Sequence, residues 1–278
     1  MANPSNTKTW LITGCSSGIG RCMVEAALAQ GQRVFATARD LRSIGDLAGP
    51  NCTVSTLDVT EPSSIANAIR DAHALFGKLD VVVNNAGYGL LGAVEECTDA
   101  QVRRSMETNY FGPLNVIRAV LPILRQQRSG CIVNLGAAAA LANYAGFGIY
   151  GGAKAALELM SESLSAELRP LGIKVMLVQP GPFRTDFLAR GLEKAAHKID
   201  DYANSAGKFA GFLTSINGKQ PGDPVKAAEL IVQTILAGEP PLRLPLGRYM
   251  IKKMRDKATS LTREVEKWEG AASSTDFA

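Results

Sequence analysis

Two residues in the middle of the chain have the types and spacing to move a proton. Tyr150 is followed four residues later by Lys154, at the end of the stretch NLGAAAALANYAGFGIYGGAK, residues 134–154. A phenol works as an acid or base near neutral pH when its pKa is drawn toward the working pH. On a helix, positions i and i+4 share a face, so an ammonium at 154 lies beside the ring and favours the phenolate. The start of the same stretch, Gly136-Ala137-Ala138, has no side chain able to do chemistry. A lone Tyr and Lys at this spacing are more often a half-buried ring and a solvated amine, so the pair needs partners elsewhere.

The first partner is a glycine-rich loop. TGCSSGIG, residues 13–20, carries Gly14, Gly18 and Gly20, with Ser16, Ser17 and Ile19 between them. Glycines so placed allow a tight turn and bring backbone N–H groups up to a pyrophosphate at a helix N-terminus. The loop follows an apolar run and opens a helical pattern, with a second strand-like run beyond, which is the context a dinucleotide site requires. At the tip of that second run, an acidic residue would hold a ribose 2′-hydroxyl. Here Ala38-Arg39 stands there, with Arg39 nineteen residues past Gly20. A guanidinium pairs with a 2′-phosphate, so NADP(H) is favoured over NAD(H).

The elements that must position these groups alternate along the chain. Residues 9–13, 33–38, 52–57, 79–84, 131–135 and 173–179 are short β-branched or apolar runs that read as buried strands. Amphipathic helical patterns fill 19–30, 63–76, 99–128 and 149–171. Strand–helix alternation with nearly continuous hydrophobic strands predicts an α/β fold, a parallel sheet covered on both faces. Residues 242–246 suggest a last edge strand, and the Gly/Ser-rich 204–224 reads as a mobile loop. No repeat or long linker divides the chain, so a single domain of 1–278 is expected.

Composition narrows the classes. The 278 residues are 46% hydrophobic and 20% charged, the range of ordinary globular proteins. The opening MANPSNTKTW has no apolar core and predicts no secretory signal. The charge-free stretch 131–153 is interrupted by Asn and Gly, which argues against an integral membrane segment. Five cysteines, with no CxxC pair, suit free thiols in the cytoplasm. His73 and His197 lack ligand-spaced companions, so no metal is expected.

The net charge of +4 is uneven: residues 242–268 hold eight Lys/Arg against three Asp/Glu, a local +5. Within that basic tail Ile251, Met254, Ala258, Leu261, Val265 and Trp268 recur at steps of three and four, one apolar helix face. A helix packed on its own protein or a sister subunit explains this best, with docking to a membrane surface as the second reading. Nucleic acid is not expected, since no binding motif or aromatic–basic interleaving accompanies the charge.

Together these motifs resemble the short-chain dehydrogenase/reductase family over roughly residues 8–190. The glycine loop is similar to its cofactor loop, and NNAG (84–87), with Asn85, Ala86 and Gly87, to the motif after its fourth strand. LDVT (57–60) supplies Asp58 and Val59, which the resemblance places at the adenine. QPGPFRTD (179–186) matches the family's nicotinamide segment, implicating Pro180, Gly181, Phe183 and Thr185. Asn109 in ETNYFG matches its helix asparagine, implied to link a proton path to the lysine, and YGGAK matches its Tyr-x3-Lys. The resemblance implies a doubly wound Rossmann-type sheet with a substrate loop or lid (191–248) and a C-terminal helix and tail (249–278). It also implies that Tyr150 is the proton-transfer residue and that Lys154 holds the nicotinamide ribose. The implied activity is an NADPH-dependent oxidoreductase interconverting a ketone and a secondary alcohol on a polyketide-, steroid- or aromatic-like substrate.

One position departs from the pattern. The family has a serine thirteen residues before the tyrosine, and here that place holds Ala137. Losing one donor to a developing oxyanion costs about 2.7–4 kcal/mol. Three explanations stand open. A Ser→Ala change has silenced a normal reductase; or the natural enzyme uses Asn143, Tyr144 or a substrate hydroxyl instead; or the scaffold has turned to isomerisation, cyclisation or non-catalytic NADP(H) binding. For the substrate wall, the loops after the strands offer Tyr88, Leu90, Asn143, Tyr144, Phe147 and Phe187, which predicts a hydrophobic small molecule. Phe209 and Phe212 lie in the segment expected to close as a lid. By resemblance, the helices at 99–128 and 149–171 pair subunits into a homodimer or homotetramer.

Overall fold

The computed structural model describes residues 7–277; the opening residues, read above as carrying no secretory signal, lie largely outside them. In chain order the strands are β1 Thr9–Ile12, β2 Arg33–Ala38, β3 Cys52–Thr56, β4 Val81–Asn84, β5 Gly89–Leu91, β6 Gly130–Leu135, β7 Ile173–Pro180, β8 Leu192–Lys194 and β9 Arg243–Leu246. The helices are α1 Gly18–Ala29, α2 Pro62–Phe76, α3 Asp99–Met106, α4 Gly112–Gln127, α5 Ala138–Leu141, α6 Gly148–Leu168, α7 Lys208–Ile216, α8 Pro224–Leu236 and α9 Gly247–Ser273.

Seven strands form one parallel sheet in the order β3-β2-β1-β4-β6-β7-β9. The order reverses between β1 and β4, so the carboxyl ends of these two strands flank a natural crevice for a ligand. Side-chain alternation splits the core into two layers. Trp10 and Ile12 point with Val34, Val81 and Val133 toward α1 and α8. Leu11, Phe35, Val82 and Ile132 point the other way, onto α2, α4 and α6. Every residue of β1 and β4 is buried, which is why these segments read as unbroken apolar runs.

Local chemistry sets the helix ends. Gly77, in the left-handed conformation at φ 74°, ends α2. Asp223 accepts the Val225 and Lys226 N–H groups and Pro224 fills the first turn, which starts α8. The single helix expected over 99–128 is interrupted by a π-turn at Glu107–Phe111. Such bulges are frequent at functional sites, and this one carries Asn109.

The chain differs from expectation in two further places. Residues 204–224, read as a mobile loop, contain α7, because Phe209, Leu213 and Ile216 pack on Tyr144, Phe147 and Leu91. Two short strands, β5 and β8, pair in a separate parallel ribbon over the crevice. The last helix touches its own protein only at its start. Met250 is buried, whereas Leu261, Val265 and Trp268 are 46%, 64% and 59% exposed. No helix among the described residues is long and apolar enough to cross a membrane.

Candidate active site

The loops after β1, β4, β6 and β7 surround a cleft of about 1340 Å³. At one end the glycine loop has the close packing that its sequence suggests. Gly14 and Gly18 have φ +71° and +60°, which disfavour any side chain. A Cβ on Gly14 would lie 2.8 Å from Ala86 Cα, and one on Gly20 would lie 2.2 Å from Asn85 Nδ2. Asn85 donates to the carbonyls of Thr13 and Gly14, both at 2.9 Å, and so clamps the loop after β4 to the loop after β1. Thr185 closes the other side, 3.3 Å from where a Gly18 Cβ would stand.

Ser16, Ser17, Gly18, Ile19, Arg39, Asp58, Val59, Ala86, Gly87, Pro180, Gly181 and Phe183 all line this cleft. Asp58 takes the Thr60 N–H and hydroxyl on Oδ1, at 2.9 and 2.8 Å. Directly after Arg39 stands a carboxylate, Asp40, which the spacing from Gly20 does not single out. In the structure Asp40 caps the following turn and pairs with Arg42 at 3.1 Å. The Arg42 guanidinium holds its carboxyl below the usual range. Arg39 is exposed and, among the described residues, makes no ion pair. The narrow glycine cradle and the facing basic group fit a dinucleotide. When bound, such a cofactor supplies or accepts hydride; the protein's part is to hold it and to manage the proton.

The proton chemistry sits on α6 and the end of β6. Tyr150 lines the cleft beside Ala137 and Phe147, and all three rings or methyls belong to one buried cluster. Burial, followed by the Glu158 charge, pushes the Tyr150 phenol above its ordinary value. This reverses the expectation of a phenolate favoured by Lys154. The reason is geometric: Lys154 is buried and its Nζ donates to the Leu135 carbonyl at 2.7 Å. Burial brings the Lys154 ammonium down to about 8, and Glu158 opposes that shift. Asn109 is fully buried, donates to Tyr88 O and Ser105 O, and accepts the Tyr88 N–H at 3.3 Å. A Cβ on Gly87 would meet both Asn109 Oδ1 at 2.7 Å and Lys154 Nζ at 3.5 Å, so the three positions are immediate neighbours.

Glu158 is the residue the sequence reading missed. It follows Lys154 by four and Tyr150 by eight, the same helix face, and that spacing was the available signal. Its Oε2 accepts from Gln179 at 2.7 Å and its Oε1 from the Ala137 N–H at 3.4 Å. Burial raises its carboxyl, and the Gln179 hydrogen bond opposes the rise. A Cβ on Gly136 would stand 2.3 Å from Glu158 Oε1, so a side chain there would displace that carboxylate. Behind it, Asn84 donates to Asn134 and Asn134 to Ser161, each at 2.8 Å, joining β4, β6 and α6.

The far end of the cleft is aromatic. Tyr144 stacks on Phe209 at 4.9 Å, Phe147 meets Tyr150 at 5.3 Å, and Phe187 lies 5.8 Å from Tyr150. Tyr144 also shares a hydrogen bond with Tyr249 and sits under Lys253 Nζ at 4.0 Å, so the start of α9 belongs to this wall. Two expected wall residues are elsewhere. Leu90 is 1% exposed, a member of β5 paired with Glu193 of β8 and outside the cleft lining. Asn143 spends its amide on Phe147 O and Tyr144 N, at 3.1 and 2.8 Å, and packs against Gly151. Two buried polar groups in the cleft lining, the Tyr88 hydroxyl and the Gln220 amide, have no protein partner. Among the described residues, no three His, Cys, Asp or Glu side chains converge to hold a metal.

Known proteins match this arrangement along most of its length. The model of the short chain dehydrogenase family matches residues 8–196. The chain is 35% identical to oxidoreductase BOA17 of Botryotinia fuckeliana, over 94% of its own length and 97% of that protein. It is 35% identical to a 3-ketodihydrosphingosine reductase of Bacteroides thetaiotaomicron, over 85% of its own length and 87% of the relative. The crystal structure of a short-chain dehydrogenase from Streptomyces avermitilis superposes with a TM-score of 0.91 at 38% identity, covering 98% of this chain and all of that one. With the glycine cradle, the Tyr150–Lys154 helix and these matches in agreement, the chain belongs to the short-chain dehydrogenase family of oxidoreductases.

Proposed function

We propose that this oxidoreductase uses NADP(H) to interconvert a ketone and a secondary alcohol on a hydrophobic substrate. The observation that carries the reading is the cleft itself, which joins a glycine cradle and Arg39 at one end to an aromatic wall around Tyr150 at the other. Tyr150, kept protonated by burial, donates to the developing alkoxide. Lys154 and Asn109 stand behind that end of the cleft, and we read the Lys154 ammonium, now on the Leu135 carbonyl, as the group that turns to a cofactor ribose. Arg39, with no carboxylate partner while Asp40 is occupied by Arg42, supports recognition of a 2′-phosphate.

The substrate reading rests on Tyr144, Phe147, Phe187 and Phe209, and on the name of the Bacteroides relative, which points to a long-chain ketone. No hydroxyl stands at 137, Asn143 is committed to the backbone and the Tyr144 hydroxyl is shared with Tyr249, so we take Tyr150 as the side-chain donor next to Ala137. We therefore read the chain as a reductase with one oxyanion donor fewer than its family pattern. Five free thiols suit a cytoplasmic setting. Phe111 and Leu159, exposed beside and on the long helices α4 and α6, suit pairing of subunits there. A panel of ketones with NADPH or NADH tests the proposal. Consumption of NADPH with long-chain or polycyclic ketones supports it, and turnover confined to small carboxylates refutes it.

A further inference from the structure

The helix α9 runs 27 residues, about 40 Å, yet from Ala258 onward none of it is covered. Its apolar residues are Ile251, Met254, Ala258, Leu261, Val265, Trp268 and Ala272, at strict alternating steps of three and four. That is the 3.5-residue repeat of a coiled-coil seam, narrower than the face a helix lays on a globular core. The charges beside the seam divide by sign along its length. Arg255 and Lys257 flank its first half, and Glu264 and Glu269 its second. Within α9 the chain pairs only Lys252 with Asp256, which leaves these four flanking charges without an ion pair among the described residues.

We infer that the α9 seam docks on α9 of a second copy of this chain, in antiparallel orientation. Charge selects the occupant and the direction. A parallel pair would set Glu264 against Glu269 of the partner subunit, like charge against like. An antiparallel pair centred between Thr259 and Ser260 sets Lys257 beside Glu264 of the partner subunit, twice by symmetry. In that register Ala258 faces Leu261 of the partner subunit, Met254 faces Val265 of the partner subunit, and Ile251 faces Trp268 of the partner subunit. An anionic bilayer is a poorer fit, because the most exposed part of the seam, 261–268, is bordered by glutamates.

Light scattering of the full chain on a sizing column, over a range of concentrations, tests this. The double variant L261E/V265E changes only exposed side chains and is expected to have half the parent's mass, with the same melting temperature. K257E and E264K are each expected to weaken association by roughly tenfold, more at low than at high salt. Combining them as K257E/E264K restores it, because the pair is rebuilt with its signs exchanged. Equal masses for the parent and L261E/V265E would overturn the inference, as would a charge-swapped double variant no stronger than the singles. Co-sedimentation of the parent with phosphatidylserine-containing vesicles, lost in L261E/V265E at unchanged mass, would overturn it in favour of a lipid surface.

Discussion

Placing a serine at position 137 should convert this chain into a much faster reductase. Ala137 lines the cleft, is 7% exposed and sits in an extended conformation, φ −162°, directly before α5. It occupies the N-cap of that four-residue helix, and no side chain caps it. A serine hydroxyl there has two jobs that do not compete. Its lone pairs can accept an α5 N–H, a cap worth about 1 kcal/mol, while its proton points at the substrate oxygen. The second job is the larger, since one donor to a developing oxyanion is worth about 2.7–4 kcal/mol, or 10²- to 10³-fold in rate. The gain should fall in kcat, with KM little changed, because the bond strengthens only as charge develops. The assay is the loss of NADPH absorbance with a hydrophobic ketone, run on A137S and on A137C, which adds similar bulk but a weak donor. A137S within about threefold of the parent, under 1 kcal/mol, would refute the reasoning, as would an equal gain in A137C.

Other expectations follow from the charges around the cleft and from the buried thiols. Arg39→Ala should lose a charged hydrogen bond of about 1.5–3 kcal/mol, lowering the preference for NADPH over NADH roughly 10- to 100-fold in kcat/KM; an unchanged ratio would remove Arg39 from cofactor choice. Glu158 raises the pKa of both Lys154 and Tyr150, so Glu158→Gln should move the alkaline limb of the rate–pH profile to lower pH. A limb that stays in place would mean that the carboxylate only holds Gln179 and the Ala137 backbone. Burial pushes the Cys15 and Cys131 thiols up to about 12, well above the ordinary thiol value of 9.0. Their contribution to stability is present below pH 9 and is lost as pH rises toward 12, so denaturant midpoints should fall across that window. Substituting both with alanine should flatten that fall.

Much of this was legible because the signals were local. The buried strands of the sheet announced themselves as short apolar runs, since both faces of the sheet are covered. The glycine loop could be read because Gly14 and Gly20 meet Ala86 and Asn85, where a side chain has no room. What escaped depended on contacts between distant segments. Residues 204–224 are rich in Gly and Ser, and only the docking of Phe209 and Leu213 onto the Tyr144–Phe147 wall turns part of them into α7. Asp40 escapes the cofactor choice because the spacing singles out its neighbour Arg39, and only geometry shows Arg42 pairing with it. The ionisation of Tyr150 departs from its expectation for a related reason. Helix spacing places Lys154 on the right face, but the direction of its Nζ, toward Leu135 O, is a tertiary fact. Tyr249 joins the substrate wall from a hundred residues away, with no local pattern to mark it.

The central claim is that Tyr150 supplies the proton for an NADP(H)-linked reduction. Its most direct test is Tyr150→Phe, which removes one oxygen and keeps the ring against Phe147 and Phe187. NADPH affinity by fluorescence titration and ketone turnover should be measured on the same preparations. The account expects NADPH to bind the variant as tightly as the parent, while kcat falls by roughly 10²- to 10⁴-fold. Unchanged turnover in the variant, or no NADPH binding by either form, would contradict it.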